Sequence, residues 1–91
     1  MAAFGERLET AMERGGLTPA DLSRWFKRPY PSIYAWLYLG RLPCAVDRAY
    51  IDRRLSELET MLRGRRKPLV PPEIGQRQRA SYLEQHHGFG R

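Results

Sequence analysis

Phe4, Leu8, Ala11 and Met12 fall at i, i+4, i+7 and i+8, which places them on one stripe of an amphipathic helix. Gly15-Gly16 predicts its end, because glycine readily takes the left-handed conformation that closes a helix. The next helix has a marked start. Thr18 suits an N-cap, Pro19 the first helical position, and Asp21 the acid of a capping box, while Leu17 and Leu22 have the spacing of a hydrophobic staple. Leu22, Trp25 and Phe26 form its apolar face. Lys27-Arg28-Pro29 interrupts the pattern, since a residue before proline disfavours helical angles. A third helix is predicted from Tyr30 to Leu39, with Ile33, Trp36 and Leu37 pointing inward, stopped by Gly40 and kept from restarting by Pro43. A fourth runs from Val46 to Arg63, its residues Ile51, Leu55, Leu58 and Leu62 alternating in steps of four and three like a short heptad seam. Beyond Gly64 the signal weakens. A last helix over Glu73–His86 has only Ile74 and Leu83 as aliphatic anchors and contains Gly75.

These elements predict an all-α fold: a helix-turn-helix bundle of about four helices, followed by a basic C-terminal tail with a weaker fifth helix. Residues 1–45 are expected to form the core. Residues 46–63 form a helix that packs on the core or mediates oligomerisation through Ile51, Leu55, Leu58 and Leu62. Residues 64–91 form a basic linker and tail, ordered either alone or on a partner. Ninety-one residues suit one domain with a modest core. No internal repeat is visible.

Charge sharpens the picture because it is uneven. Residues 1–26 carry a net −1, residues 27–63 a net +3 and residues 64–91 a net +4, and fourteen of the sixteen basic residues are Arg. The planar guanidinium fork donates two parallel hydrogen bonds to phosphate, so this distribution points to a polyanion, most commonly nucleic acid. Cys44 stands alone, so it makes no intrachain disulfide and no zinc cluster. The start of the chain lacks a signal-peptide pattern, and its longest apolar run, Ile33–Leu39, is too short to span a bilayer. The expectation is a cytoplasmic protein of a bacterial host cell, without a membrane partner.

Two short helices joined by three residues, the second rich in aromatics, have the helix-turn-helix arrangement. The stretches Leu17–Phe26, Ser32-Ile33-Tyr34-Ala35-Trp36 and Gly40-Arg41-Leu42-Pro43 resemble phage repressor and Cro-like helix-turn-helix domains, over about residues 4–45. The resemblance implies double-stranded DNA as partner. It places base-facing positions at Tyr30, Pro31, Ser32, Tyr34 and Ala35, and phosphate anchors at Thr18 and Pro19 and, after the third helix, at Arg41. The flanking residues Lys27, Arg28 and Tyr38 and the run Arg65-Arg66-Lys67 complete the phosphate-binding candidates. Where such domains carry a glutamine-like residue this chain has Pro19, and in place of a small glycine turn it has Lys27-Arg28. Tyr30–Leu39 contains no Arg, Lys, Asn or Gln, the side chains that make strong bidentate contacts to guanine and adenine. Phosphate-dominated DNA binding of modest sequence specificity follows, as in a phage or bacterial transcriptional regulator.

Two further readings remain open. The tyrosine-rich face and the tail also suit a phage assembly protein similar to a small terminase subunit, working as a higher oligomer. Alternatively, residues 68–86 would dock a protein partner, as in an adaptor. Catalysis has no support: there is no nucleophile–base set, no phosphate loop and no metal-ligand spacing, and adjacent His86-His87 do not share a helical face. No cofactor is expected.

Overall fold

The computed structural model describes residues 3–90, which form five α-helices and no strand: α1 (Phe4–Gly15), α2 (Pro19–Phe26), α3 (Tyr30–Tyr38), α4 (Arg48–Leu62) and α5 (Gln76–His87). Residues 1, 2 and 91, at the outer edges of the first and third predicted segments, lie outside the described residues. None of the described helices is long and apolar enough to cross a membrane.

Local chemistry sets the first three helices. Gly16, at φ 64°, closes α1, and the Leu17 N–H reaches back to the Met12 carbonyl at 2.8 Å. At the start of α2 the capping box is complete. The Thr18 hydroxyl accepts from the Asp21 N–H at 3.2 Å, and the Asp21 carboxylate accepts from the Thr18 N–H at 2.9 Å. Such a cap contributes about 1 kcal/mol. α2 ends at Lys27, which takes the left-handed conformation at φ 56° and is the only non-glycine with positive φ among the described residues. The Ser23 hydroxyl secures this turn by donating to the Arg28 carbonyl at 2.5 Å. α3 then crosses α1 so closely that a Cβ added at Gly5 would lie 2.9 Å from the Trp36 carbonyl oxygen, so a side chain there would force the helices apart.

The core gathers the stripes read from the sequence: Leu8 and Ala11 of α1, Leu22, Trp25 and Phe26 of α2, and Ile33 and Trp36 of α3. Polar braces fix α4 against this platform. Arg7 forks onto Glu59 at 2.7 and 3.1 Å and reaches Asp52 at 3.1 Å, which raises its already high pKa, chiefly through the Glu59 hydrogen bonds. Trp25 and Arg54 lock reciprocally. The indole N–H donates to the Arg54 carbonyl at 2.8 Å, while the guanidinium lies 3.6 Å from the indole ring centre and donates to the Trp25 carbonyl.

Three expectations are corrected. α4 begins at Arg48 because Cys44–Asp47 close a turn, which leaves Val46 91% exposed in the loop. Ile51, Leu55, Leu58 and Leu62 are not an oligomerisation seam: all four are buried in the chain's own core, so no apolar edge remains there for a second copy. The tail, finally, does not stand apart as a linker but packs on the helices before it. The Leu69 N–H donates to the Gly15 carbonyl at 2.9 Å, and Leu69, Val70, Leu83 and Phe89 join the core, each such burial contributing about 2 kcal/mol. Gly75 caps α5 instead of lying inside it, and His86 and His87 form its last turn. The radius of gyration, 12.6 Å, is close to the roughly 12 Å of a folded domain of this length, so the tail is part of the globule.

Candidate nucleic-acid interface

The α2–α3 pair has one face turned away from the core. On α3, Ile33 and Trp36 point inward, and helical periodicity sends Tyr30, Tyr34 and Tyr38 outward, where they are 48, 45 and 51% exposed. Tyr34 and Tyr38 stack on each other at 4.9 Å between ring centres. Pro31 is exposed with them, whereas Ser32 and Ala35 are half-buried at the flank. Of the five base-facing candidates, Tyr30, Pro31 and Tyr34 therefore share the outward face, and Ser32 and Ala35 lie beside it. Its polar equipment is phenol and a single aliphatic hydroxyl. No acid or base stands on α3 itself.

The basic candidates separate into those free for a ligand and those already engaged. Lys27, in the left-handed turn before α3, is exposed, and Arg41, beyond its C-terminus, is exposed too; neither has a carboxylate partner among the described residues. They flank α3, whose nine residues make a helix roughly 13 Å long. Arg28 is the correction. Its guanidinium donates to both Asp47 oxygens, at 3.0 and 3.3 Å, and to the Lys27 carbonyl at 2.9 Å, and it lies 5.0 Å from the Tyr50 ring. That hydrogen-bonded guanidinium, aided by the Cys44 thiol, holds the Asp47 carboxyl below the usual carboxylate range. Arg28 ties the turn to the start of α4 and is not an open clamp.

The other end of α2 is also occupied. The Thr18 N–H and hydroxyl are used in the capping box, and the Asp21 carboxylate, 1% exposed, accepts from Arg79 Nε of α5 at 2.7 Å. Arg79 also donates to the Gly16 carbonyl. A phosphate approaching Thr18 and Pro19 would meet a buried carboxylate with its charge already matched, so these two anchors are not available as expected. The run Arg65-Arg66-Lys67 is exposed near this corner: it leads into Pro68, which packs against Gly16. It belongs to the α1–α2 corner and not to the ends of α3.

Asp47 and Arg79 are the residues that decide which cations are free. Neither was legible as such, because each acts through a partner 19 or 58 positions away. His86 and His87 form no metal site, and no cluster of three metal-ligating residues exists among the described residues. The His86 ring stacks on Tyr82 at 4.4 Å, while His87 Nε2 lies 3.1 Å from the Leu69 carbonyl, its pKa lowered by partial burial. No family model, curated protein or solved structure matches the chain.

Proposed function

We propose that the chain binds double-stranded DNA by setting the outer face of α3 into the major groove while Lys27 and Arg41 hold phosphates on either side. The observation that carries this reading is the openness of that face. The tail packs Phe89 on Trp25 and Arg79 on Asp21 of α2, yet it leaves Tyr30, Pro31, Tyr34 and Tyr38 exposed between two unpaired cations. Phenol and hydroxyl groups bond base edges and phosphates with little discrimination, so affinity is dominated by the backbone and specificity is modest. A regulator of phage or bacterial type is the role that fits.

The test is a titration of duplex DNA at two salt concentrations, with wild type and the double variant K27A/R41A. The variant should lose about tenfold or more in affinity at the lower salt, and its log–log salt slope should fall by about two, with helicity unchanged. Wild-type affinity and slope in the double variant would refute the groove geometry. Arg28→Ala is a poor test, because it releases Asp47 and the turn.

One observation favours a second reading, assembly with protein. Leu39 and Leu42, 60 and 59% exposed, and the exposed Val46 put aliphatic surface in the loop that follows α3. Light scattering separates the two: a packaging-type assembly forms a ring well above a dimer, whereas a regulator stays monomeric or dimeric.

A further inference from the structure

Resting on the duplex-binding reading, we infer that the phosphodiester held by Lys27 beside the start of α3 sits in a hollow where Arg53 of α4, next to Tyr50, holds it as a second cation. This solvent-open hollow, about 440 Å³, lies between the α2–α3 turn, the first turns of α4 and the C-terminal end of α5, and is lined by Lys27, Tyr50, Arg53, Arg54, Glu57 and Gly88. Neither Tyr50 nor Arg53 carries a signal in the sequence, since basic and aromatic residues on an exposed helix face are ordinary.

The charges in the hollow do not cancel. Arg54 stacks on Trp25, donates to its carbonyl at 2.9 and 3.2 Å, and lies 3.6 Å from Glu57. That pair accounts for the only carboxylate in the lining. Lys27 and Arg53 remain exposed, with no acid in ion-pair reach among the described residues. Two cations from different elements facing one depression suit a ligand with a delocalised negative charge and only acceptor atoms, which is the chemistry of a phosphodiester.

Two observations argue that the site is built. The Tyr50 ring has Arg28 at 5.0 Å and Arg53 at 6.0 Å, and Arg28 is itself fixed by Asp47. The aromatic ring thus restrains Arg53 near its working position and reduces the entropy lost when it takes a ligand. Lys27, in turn, occupies a left-handed turn that glycine would fill without strain. Strain retained at one non-glycine residue is accounted for if an ammonium group is wanted there. The first exposed residue of α3, Tyr30, is three positions further on, so a strand passing the start of α3 also passes the hollow.

The experiment uses the full chain and a random-sequence 20-base-pair duplex, followed by fluorescence anisotropy at two salt concentrations. Arg53→Ala should weaken binding roughly three- to tenfold at the lower salt and make the log–log slope shallower by about one. Arg14→Ala removes the same charge from the last turn of α1 and should leave the slope unchanged. The inference is overturned if R53A binds like wild type while K27A/R41A binds worse, a result that keeps the α3 reading and removes only this seat. It is equally overturned if R14A lowers the slope as much as R53A, since the effect is then that of net charge. A wild-type chain with no duplex affinity at low salt removes both readings together.

Discussion

The two ends of α2 receive side chains from elsewhere in the chain and use them in opposite ways. At the N-terminal end Asp21 is buried, and its carboxylate is saturated by the Thr18 N–H and by Arg79 from α5. At the C-terminal end Asp47 takes one cation, Arg28, and leaves the neighbouring cation, Lys27, facing water. The difference teaches that a net charge of +6 says little about where a polyanion can sit. Availability depends on which acids fold back onto which bases, so one end of α2 is a structural joint and the other keeps an unpaired cation at the surface.

The strongest way to break this contrast is Asp21→Ala. It strands the Arg79 guanidinium, 19% exposed, without its counter-charge, and it removes the carboxylate half of the capping box, the bond from the Thr18 N–H. Stability should fall by about 3–4 kcal/mol, read from the urea midpoint. A loss below about 1 kcal/mol would mean that the N-terminal end is no more structural than the other. A smaller effect is expected from acid. Burial depresses the His87 pKa, so the folded chain binds fewer protons than the unfolded chain just below the usual histidine pKa of about 6.5. The stability that neutral His87 contributes is present above that pH and is lost as pH falls through the folded-state value. The protection factors of α5 amides, taken relative to intrinsic exchange at each pH, should therefore fall on mild acidification while those of α1 hold, and His87→Gln should flatten that dependence. The smallest effect is Lys27→Gly. Relief of the left-handed conformation, about 1 kcal/mol, is partly offset by greater freedom in the unfolded chain, so the melting temperature should rise slightly or hold. Duplex affinity should nonetheless fall, and a glycine variant binding as tightly as wild type would remove Lys27 from the contact surface.

The helices were legible wherever a stripe and a cap coincided. Thr18, Pro19 and Asp21 announce α2 through chemistry local to four residues, and the structure has that capping box. Ile51, Leu55, Leu58 and Leu62 were legible as one face, but a spacing of fours and threes is shared by a coiled-coil seam and by a helix laid on its own core. Contacts across the chain decide that question, not period. The tail was least legible. Gly75 read as a flaw inside α5 when it is the residue before it, and Phe89, fully buried against Trp25 at 4.7 Å, lies beyond the end of any helical stripe. In the candidate site, the outward tyrosines followed from position on α3. The loss of Arg28 to Asp47 and of Thr18 to its own cap depends on side-chain partners that composition does not reveal.

The reciprocal lock between Trp25 and Arg54 has a consequence for kinetics. With the indole and guanidinium each donating to the other residue's carbonyl, α2 cannot swing without breaking three hydrogen bonds, and α3 rides on α2. Whatever meets the tyrosine face therefore encounters a surface held in place beforehand. Little conformational freedom is surrendered on contact, so association should be limited by encounter and orientation instead of by rearrangement, and variants of the face should differ mainly in how fast they let go.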